Sequence, residues 1–409
     1  MIKLVADLRI AILNLRRNSR RTLVATLSVA GGVVAFLLAG GFIAWIFHDM
    51  REATIHSQLG HIQIVRPGYL EKGIADPYAY LLPSASPEQR LIEENPNVIT
   101  LTSRLAFNGL LSLGEATIPF IGEGIDPERE HPISTRITII DGDDLKSSGE
   151  LNVLLGEGLA KNLGAKVGDT VVILVNSANG NPNAVEVKVR GTFATITKEY
   201  DDNALRLPLL VARKLMRVDG ATTWIALLDA TENTEKVTKA LKSTLPESSY
   251  ALIRWHELAE FYNKTVTLFS KQIDVVKLII ALIIILTISN TQTMSVLERT
   301  TEIGTSLALG LRRSEILRMF ILEGFMIGIV GGALGVLIGY ILSQLISAVG
   351  IPMPPPPGMT RGFTGQILVN WNLAVDGLVL AISTTLLASL MPAWKASRMK
   401  IVDALRTNQ

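Results

Sequence analysis

From Thr22 to Phe47 the chain runs for 26 residues without a charged side chain. A stretch that long and apolar suits a bilayer, which takes about 20 such residues to cross. Three further stretches qualify, at about Ile273–Leu297, Ile316–Val349 and Leu373–Trp394. Asp274 and Lys277 lie near one end of the second, where they can snorkel to the interface. The basic flank of the first stretch and its Ala39-Gly40-Gly41 also fit a signal peptide. It is too long for the apolar region of one, and no clean A-x-A site follows, so it reads as an uncleaved span. The chain as a whole is 48% hydrophobic but still 19% charged, too polar to be all membrane. The expected fold class is a membrane protein with four transmembrane helices and a large α+β extracytoplasmic domain inserted between helices 1 and 2.

Basic residues set the orientation. Lys3, Arg9, Arg16, Arg17, Arg20 and Arg21 precede the first span against a single Asp7. Arg299, Arg312, Arg313 and Arg318 fall between spans two and three, and Lys395, Arg398, Lys400 and Arg406 follow the fourth. The loop between spans three and four holds only Arg361. Cytoplasmic loops collect Lys and Arg, so both termini and the 298–318 loop face the cytoplasm. The division that follows is a cytoplasmic amphipathic helix at 1–21, helix 1 at 22–48 and the extracytoplasmic domain at 49–270. Helix 2 occupies 271–297, a cytoplasmic loop or helix 298–315 and helix 3 316–349. An outer loop covers 350–372, helix 4 373–394 and a cytoplasmic tail 395–409.

Within 2–17, Leu4, Leu8, Ala11, Ile12 and Leu15 share one helical face, with Lys3, Asp7, Asn14 and Arg17 elsewhere. This is either an amphipathic helix on the inner leaflet or a continuation of span one. In the large domain, Val171–Val175 reads as a buried strand, and Val185, Val187 and Val189 alternate with charges as a half-exposed one. Asn179-Gly180 between them supplies the positive-φ residues of a hairpin turn. Helical patterns fall at 87–94, 157–163, 209–217 and 231–244, so the domain is α+β and of one or two lobes. The pattern over 256–298 predicts one continuous helix, a rod about 60 Å long at 1.5 Å per residue.

Gly328, Gly331, Gly332, Gly335 and Gly339 lie on adjoining stripes of span three, where another helix can approach closely. The polar run Ser289-Asn290-Thr291-Gln292-Thr293 at the end of span two should face protein or water, for hydrogen bonding between helices or a transport path. Phe42, Trp45 and Phe47 are either an interfacial aromatic belt or a lodging for an apolar substrate. No cysteine is present, which excludes disulfides, thiol nucleophiles, Cys-based metal sites and a lipobox. A net charge of +2 gives no field for nucleic acid. No phosphate-cradling P-loop, H-E-x-x-H or G-x-S-x-G occurs. His48, His56, His61, His131 and His256 read as stray surface or membrane-edge residues. Glu199-Tyr200-Asp201-Asp202-Asn203 reads as a solvated loop without calcium-loop spacing. No catalytic residue and no metal site is expected.

The stretch Ser295–Gly324 carries a sharper signal. Glu298, Arg299, Glu302, Ile303, Gly304, Ala308, Leu309 and Gly310, followed by Glu323 and Gly324, fit E-R-x-x-E-I-G-x-x-x-A-L-G and a later L-x-E-G. This resembles the signature of the FtsX/MacB/LolE permease superfamily, the mechanotransmission type of ATP-binding-cassette (ABC) transporter. Met391–Arg406 resembles the closing motif of that family, with Ile401 where proline is usual. Val153–Asp169 is similar to the MacB-type periplasmic core, and Gly60–Ile64 to the start of that domain in lipoprotein-release permeases.

The resemblance implies that the loop after span two docks on a separate cytoplasmic ABC ATPase, since this chain lacks a P-loop. Glu298, Arg299, Glu302, Arg312 and Arg313 would offer charged contacts, with Gly304 and Gly310 bracketing a short helix. No cofactor is expected on this chain, with ATP and Mg on the partner. The implied function is a permease that moves its extracytoplasmic domain to extract or export lipoprotein, lipid or another hydrophobic substrate. The alternative is an FtsX-like regulator that activates a cell-wall hydrolase outside. Expected partners are the ATPase, a second permease copy or paralogue, membrane lipid, and a periplasmic or outer-membrane component. The expected location is the bacterial inner membrane.

Overall fold

The computed structural model describes residues 11, 13–17, 19–73, 76–354 and 362–401. Arg361, Arg406, most of the proline run after Ile351 and most of the 1–21 segment lie outside the described residues. The chain divides into two compact units: 1–47, 266–352 and 364–409 form one, and 48–265 with 353–363 form the other.

The first unit is a helical bundle. Among the described residues, four helices are long and apolar enough to cross a membrane: Ser19–Leu59, Glu260–Glu298, Arg313–Val349 and Trp371–Ser397. They are called spans 1 to 4 below. Each overruns its apolar stretch, because the backbone ladder continues into polar residues as long as no breaker intervenes. Ala25, Val29, Val33 and Phe36 of span 1 pack with Ile280, Ile284 and Ile288 of span 2, and with Ile327, Ala381 and Ala388. The glycines of span 3 divide between two neighbours. A Cβ on Gly331 or Gly335 would come within 2.8 and 2.6 Å of Val29 and Val33 of span 1. One on Gly328 or Gly332 would meet Thr385 or Leu378 of span 4, at 2.3 and 2.8 Å. The small-residue stripes therefore set how closely three helices approach.

Span 2 does not continue unbroken from residue 256. Trp255–Leu258 is a separate turn closed by an Arg254–Glu257 capping box, and Ala259 leaves helical geometry at φ −81°, ψ 62°. Trp255 and Ala259 are buried against Ile55, Ile133, Ile225 and Leu227. Seating the indole in that cluster outweighs continuing the helix.

The second unit carries a ten-stranded mixed sheet. Its strands are β1 Ile62–Val65, β2 Val98–Leu113, β3 Ala116–Ile125, β4 Thr138–Gly142, β5 Asn152–Gly156, β6 Thr170–Asn176, β7 Pro182–Ala194, β8 Ala204–Pro208, β9 Thr223–Leu228 and β10 Ala251–Arg254. The order is β10-β1-β9-β2-β3-β8-β5-β7-β4, with β6 pairing β2 and β7. Among the described strand pairs, β3–β8 and β5–β7 run parallel. The helices Pro87–Glu93, Glu157–Leu163, Leu209–Met216 and Thr234–Thr244 fall where the sequence pattern puts them. The β6–β7 hairpin is present, although only Gly180, at φ 77°, takes a positive φ; Asn179 does not.

The two largest hydrophobic clusters among the described residues of this unit lie on the sheet. One gathers Leu105, Val153, Val171, Val187, Leu205 and Leu215; the other Ile62, Leu82, Leu101, Trp224, Leu241 and Tyr250. The long β2 joins them, pairing with β9 through residues 98–104 and with β3 from Leu105 onward.

Candidate coupling site

Span 2 ends at Glu298, and Arg299 is the joint, at φ −99° and ψ 14°. A short helix, Thr300–Ala308, follows. Gly310, at φ 98°, turns the chain, with Gly310 N–H donating to Leu307 O and Leu311 N–H to Ser306 O. Glycine takes this left-handed cap without the steric penalty of a Cβ. Arg312 then starts span 3, its N–H donating to Glu315 Oε2 at 3.0 Å. Gly304 therefore does not bracket the short helix; it lies buried inside it.

The root of this element is locked into the bundle. Ile303 packs with Val296, Ile316 and Phe320 and with Ala393 and Ala396 of span 4. Arg299, 7% exposed, donates to Glu323 Oε1 at 3.0 Å and lies 5.5 Å from the Phe320 ring centroid. Asn14 Nδ2 donates to the same Glu323 oxygen at 2.9 Å. The tip is exposed: Ala308, Leu309, Gly310, Leu311, Arg312 and Arg313 face outward, Leu309 at 81%.

Glu298 and Glu302 do not share one helix face, because the break at Arg299 separates them. Each meets an arginine from the N-terminal side instead. Arg21 grips both carboxylate oxygens of Glu298, and Arg17 Nη2 lies 2.6 Å from Glu302 Oε2. The Arg17 hydrogen bond holds the Glu302 carboxyl below its usual range, although burial works against it. Of the ten residues assigned to coupling, Arg299, Ile303 and Gly304 are thus internal, and Glu298 and Glu302 are engaged within the chain. Ala308, Leu309, Gly310, Arg312 and Arg313 remain free to meet a partner. The sequence reading gave Asn14, Arg17 and Arg21 no part in this site and quoted Glu323 only as a motif residue. The signal was there in the surplus of arginines before span 1 and in a carboxylate placed in span 3.

Other expected positions resolve differently. Asn290 is exposed on span 2, whereas Gln292 is buried at 4% exposure. Thr291 and Thr293 donate to carbonyls of their own helix, Thr287 O and Ser289 O. Phe42, Trp45 and Phe47 are all half-buried, and Phe47 stands edge-on to Phe269 at 6.5 Å.

His61 is not a stray surface residue. It is 2% exposed, its Nδ1 accepts from Leu228 N–H, and its Nε2–H points at Thr231 Oγ1. Burial first, then His56, push its pKa down to about 4, so the ring stays neutral. The acidic 199–203 run is not a solvated loop either. Asp201 is fully buried and accepts from the N–H and hydroxyl of Thr195, and burial raises its pKa to about 6.

Sequence reasoning also missed a buried charge cluster. Arg104 and Arg206 sit with Glu123 and Glu130, and donate to the carbonyls of Gln58 and Ser57 at 2.5 and 3.1 Å. These carbonyls belong to the wide π-turn Ile55–Leu59 that ends the first helix. Burial alone would raise the Glu123 pKa, but the two guanidiniums hold it low.

Residues 22–244 match the MacB-like periplasmic core domain, and residues 275–401 match the FtsX-like permease C-terminal domain. The chain belongs to the FtsX/MacB/LolE superfamily of ABC transporter permeases. The permease is 28% identical to the lipoprotein-releasing system transmembrane protein LolC of Xylella fastidiosa, over 72% of this chain and 74% of that one. It is 26% identical to an uncharacterised ABC transporter permease of Methanocaldococcus jannaschii, over 66% of this chain and 65% of that relative. The periplasmic region of MacB from Actinobacillus actinomycetemcomitans is a similar solved structure, at 13% identity and a TM-score of 0.37, covering 51% of the permease and 94% of that chain. Four apolar helices and this kinship make the permease a multi-pass inner-membrane protein, and its family implies a cytoplasmic ATPase partner.

Proposed function

We propose that this permease couples ATP turnover on a separate cytoplasmic cassette subunit to movement of its 48–265 unit, and so moves a lipoprotein or similar lipid-bearing substrate. The observation that carries the coupling is the two-sided helix Thr300–Ala308. Its root is packed on spans 3 and 4, so force applied at the tip reaches both spans. Its tip offers Leu309 and two arginines to a soluble protein. The positive-inside bias puts that tip in the cytoplasm. The lipoprotein substrate is supported by the LolC relative and by the Gly60–Ile64 resemblance. The size of the 48–265 unit favours transport over an FtsX-like regulatory role.

Copurification with a tagged cassette subunit, at matched membrane expression, tests the dock. Leu309→Glu and Arg313→Glu should each lose most of the partner, because both side chains are exposed and neither holds the fold. Glu302→Gln should retain it, since an exposed ion pair contributes under about 1 kcal/mol. Tip variants that hold the cassette subunit as wild type does would show that the dock lies elsewhere.

A further inference from the structure

The arginines before span 1 divide into two sets. Arg17 and Arg21 reach the carboxylates of Glu302 and Glu298. Arg16 and Arg20, each one residue earlier, are exposed and make no hydrogen bond or ion pair among the described residues. Arg20 opens a stripe that shows what it faces. Leu23, Val24 and Leu27 follow at i+3, i+4 and i+7, the spacing of one helix face. All three are more than half exposed, and on the uncharged run from Thr22 to Phe47 such side chains meet acyl chains. Arg20 lies about 4.5 Å before the first of them, three residues at 1.5 Å each. Its long side chain therefore ends where acyl chains give way to headgroups.

Arg16 comes to the same end of the span by a fold in the chain. The Thr22 hydroxyl donates to Leu15 O at 2.8 Å. Seven residues of straight helix would separate the two by about 10 Å. The 13–17 segment is therefore bent back against the start of span 1. Leu15 packs against the core of the bundle, whereas Leu13 is more than half exposed. Leu13 and Arg16 are three apart on one helical face, so the outward face of this segment is apolar and basic together, as at a membrane surface.

We infer that Arg16 and Arg20 form a binding site for the phosphate of an anionic phospholipid in the inner leaflet. A guanidinium suits phosphate, with paired N–H donors and a permanent charge. The cytoplasmic leaflet carries anionic headgroups that draw in arginines placed beside a span. Apolar side chains on either side of the pair favour a lipid over a soluble anion or an acidic protein surface, neither of which would cover them. The site also bears on coupling, a role that rests on the function and orientation proposed above. One short stretch of chain holds lipid through Arg16 and Arg20, and Glu302 and Glu298 through Arg17 and Arg21. Those carboxylates flank the joint residue Arg299, so bound anionic lipid steadies the joint on which the coupling helix turns.

The test places the full-length permease and its cassette subunit in nanodiscs of phosphatidylcholine, with or without phosphatidylglycerol. Native mass spectrometry counts the phosphatidylglycerol retained, and ATP turnover is followed alongside. Wild type should retain the anionic lipid and turn over ATP severalfold faster in its presence. Arg16→Gln with Arg20→Gln should lose most of that lipid and most of the rise, while the cassette subunit stays bound. Lys395→Gln with Lys400→Gln removes the same charge from exposed positions after span 4 and should change neither. Equal losses from the two double variants would overturn the site, leaving only a diffuse basic surface. Inorganic phosphate that raises turnover in phosphatidylcholine as phosphatidylglycerol does would also overturn it, in favour of a soluble anion. Loss of the cassette subunit from the Arg16 and Arg20 variant would instead assign these arginines to the dock. Wild type that retains no phosphatidylglycerol overturns the site without any variant. Retained lipid with unchanged turnover overturns the role in coupling alone. If wild type binds no cassette subunit, the proposed dock fails and lipid retention still decides the site.

Discussion

Arg299 and Glu323 show how differently a charge behaves once it is buried. Both are under a tenth exposed, and each depends on the other for solvation. Removing one partner strands the other, at a cost of about 3–5 kcal/mol, while replacing both by apolar residues is often close to neutral. Glu323→Ala should therefore lower the thermal stability of the detergent-solubilised chain far more than Arg299→Met with Glu323→Leu together. Equal losses would mean that the pair is solvated after all.

Two other buried groups set opposite pH dependences. The His61 pKa is depressed from 6.5 to about 4, so its contribution is full above 6.5 and lost as pH falls through 4. The Asp201 pKa is raised from 3.8 to about 6, so its contribution is full below 3.8 and lost as pH rises through 6. Over that shared window the two nearly offset. Asp201→Asn should expose the His61 slope, with a Tm that falls more steeply than wild type from pH 6.5 to 4. Parallel Tm profiles for variant and wild type would reject the assignment.

At the scale of the element, the glycines of span 3 contribute by what they lack. A Cβ on Gly335 would sit 2.6 Å from Val33 Cβ and 2.8 Å from the Ala30 carbonyl, with backbone that cannot yield. Gly31, on the facing span, has nothing within 4 Å of a Cβ. Gly335→Val should cost about 1–3 kcal/mol through forced separation of the helices. Gly31→Ala should be tolerated or even stabilising, by up to about 1 kcal/mol, because alanine is the better helix former. Unfolding midpoints of the two variants check this, and the reverse order would remove the stripe from the packing account. The stripes could be read in the sequence because a repeat of four on a helix has only one geometric meaning. The break at Ala259 could not, because the local pattern is helical and the cause is a distant cluster that holds Trp255. The arginines before span 1 could be read as a basic surplus, but their pairing with Glu298 and Glu302 could not, because the partners lie 277 and 285 residues apart in the chain.

For the molecule as a whole, the membrane topology was the most legible feature and the charge pairing the least. Length and apolarity act locally, so four spans and an inserted domain follow from the chain itself. The clamp of Arg104 and Arg206 on the Ser57 and Gln58 carbonyls depends on strands β2, β3 and β8 meeting, which no local pattern encodes. Orientation is a property of the whole chain too, and it can be measured cleanly because the sequence contains no cysteine. A single introduced thiol is then the sole target for a membrane-impermeant maleimide. Asn179 lies exposed in the β6–β7 hairpin, and Leu309 is exposed at the coupling tip. The positive-inside rule, applied to the arginine-rich flanks, predicts a tip that faces inward and a 48–265 unit outside. Asn179→Cys should therefore label in intact spheroplasts, and Leu309→Cys only after the membrane is permeabilised. Both substitutions replace exposed side chains, so folding should be untouched, and each protein can be checked by labelling after lysis. The opposite pattern would invert the topology and place Leu309 beyond the reach of any cytoplasmic ATPase.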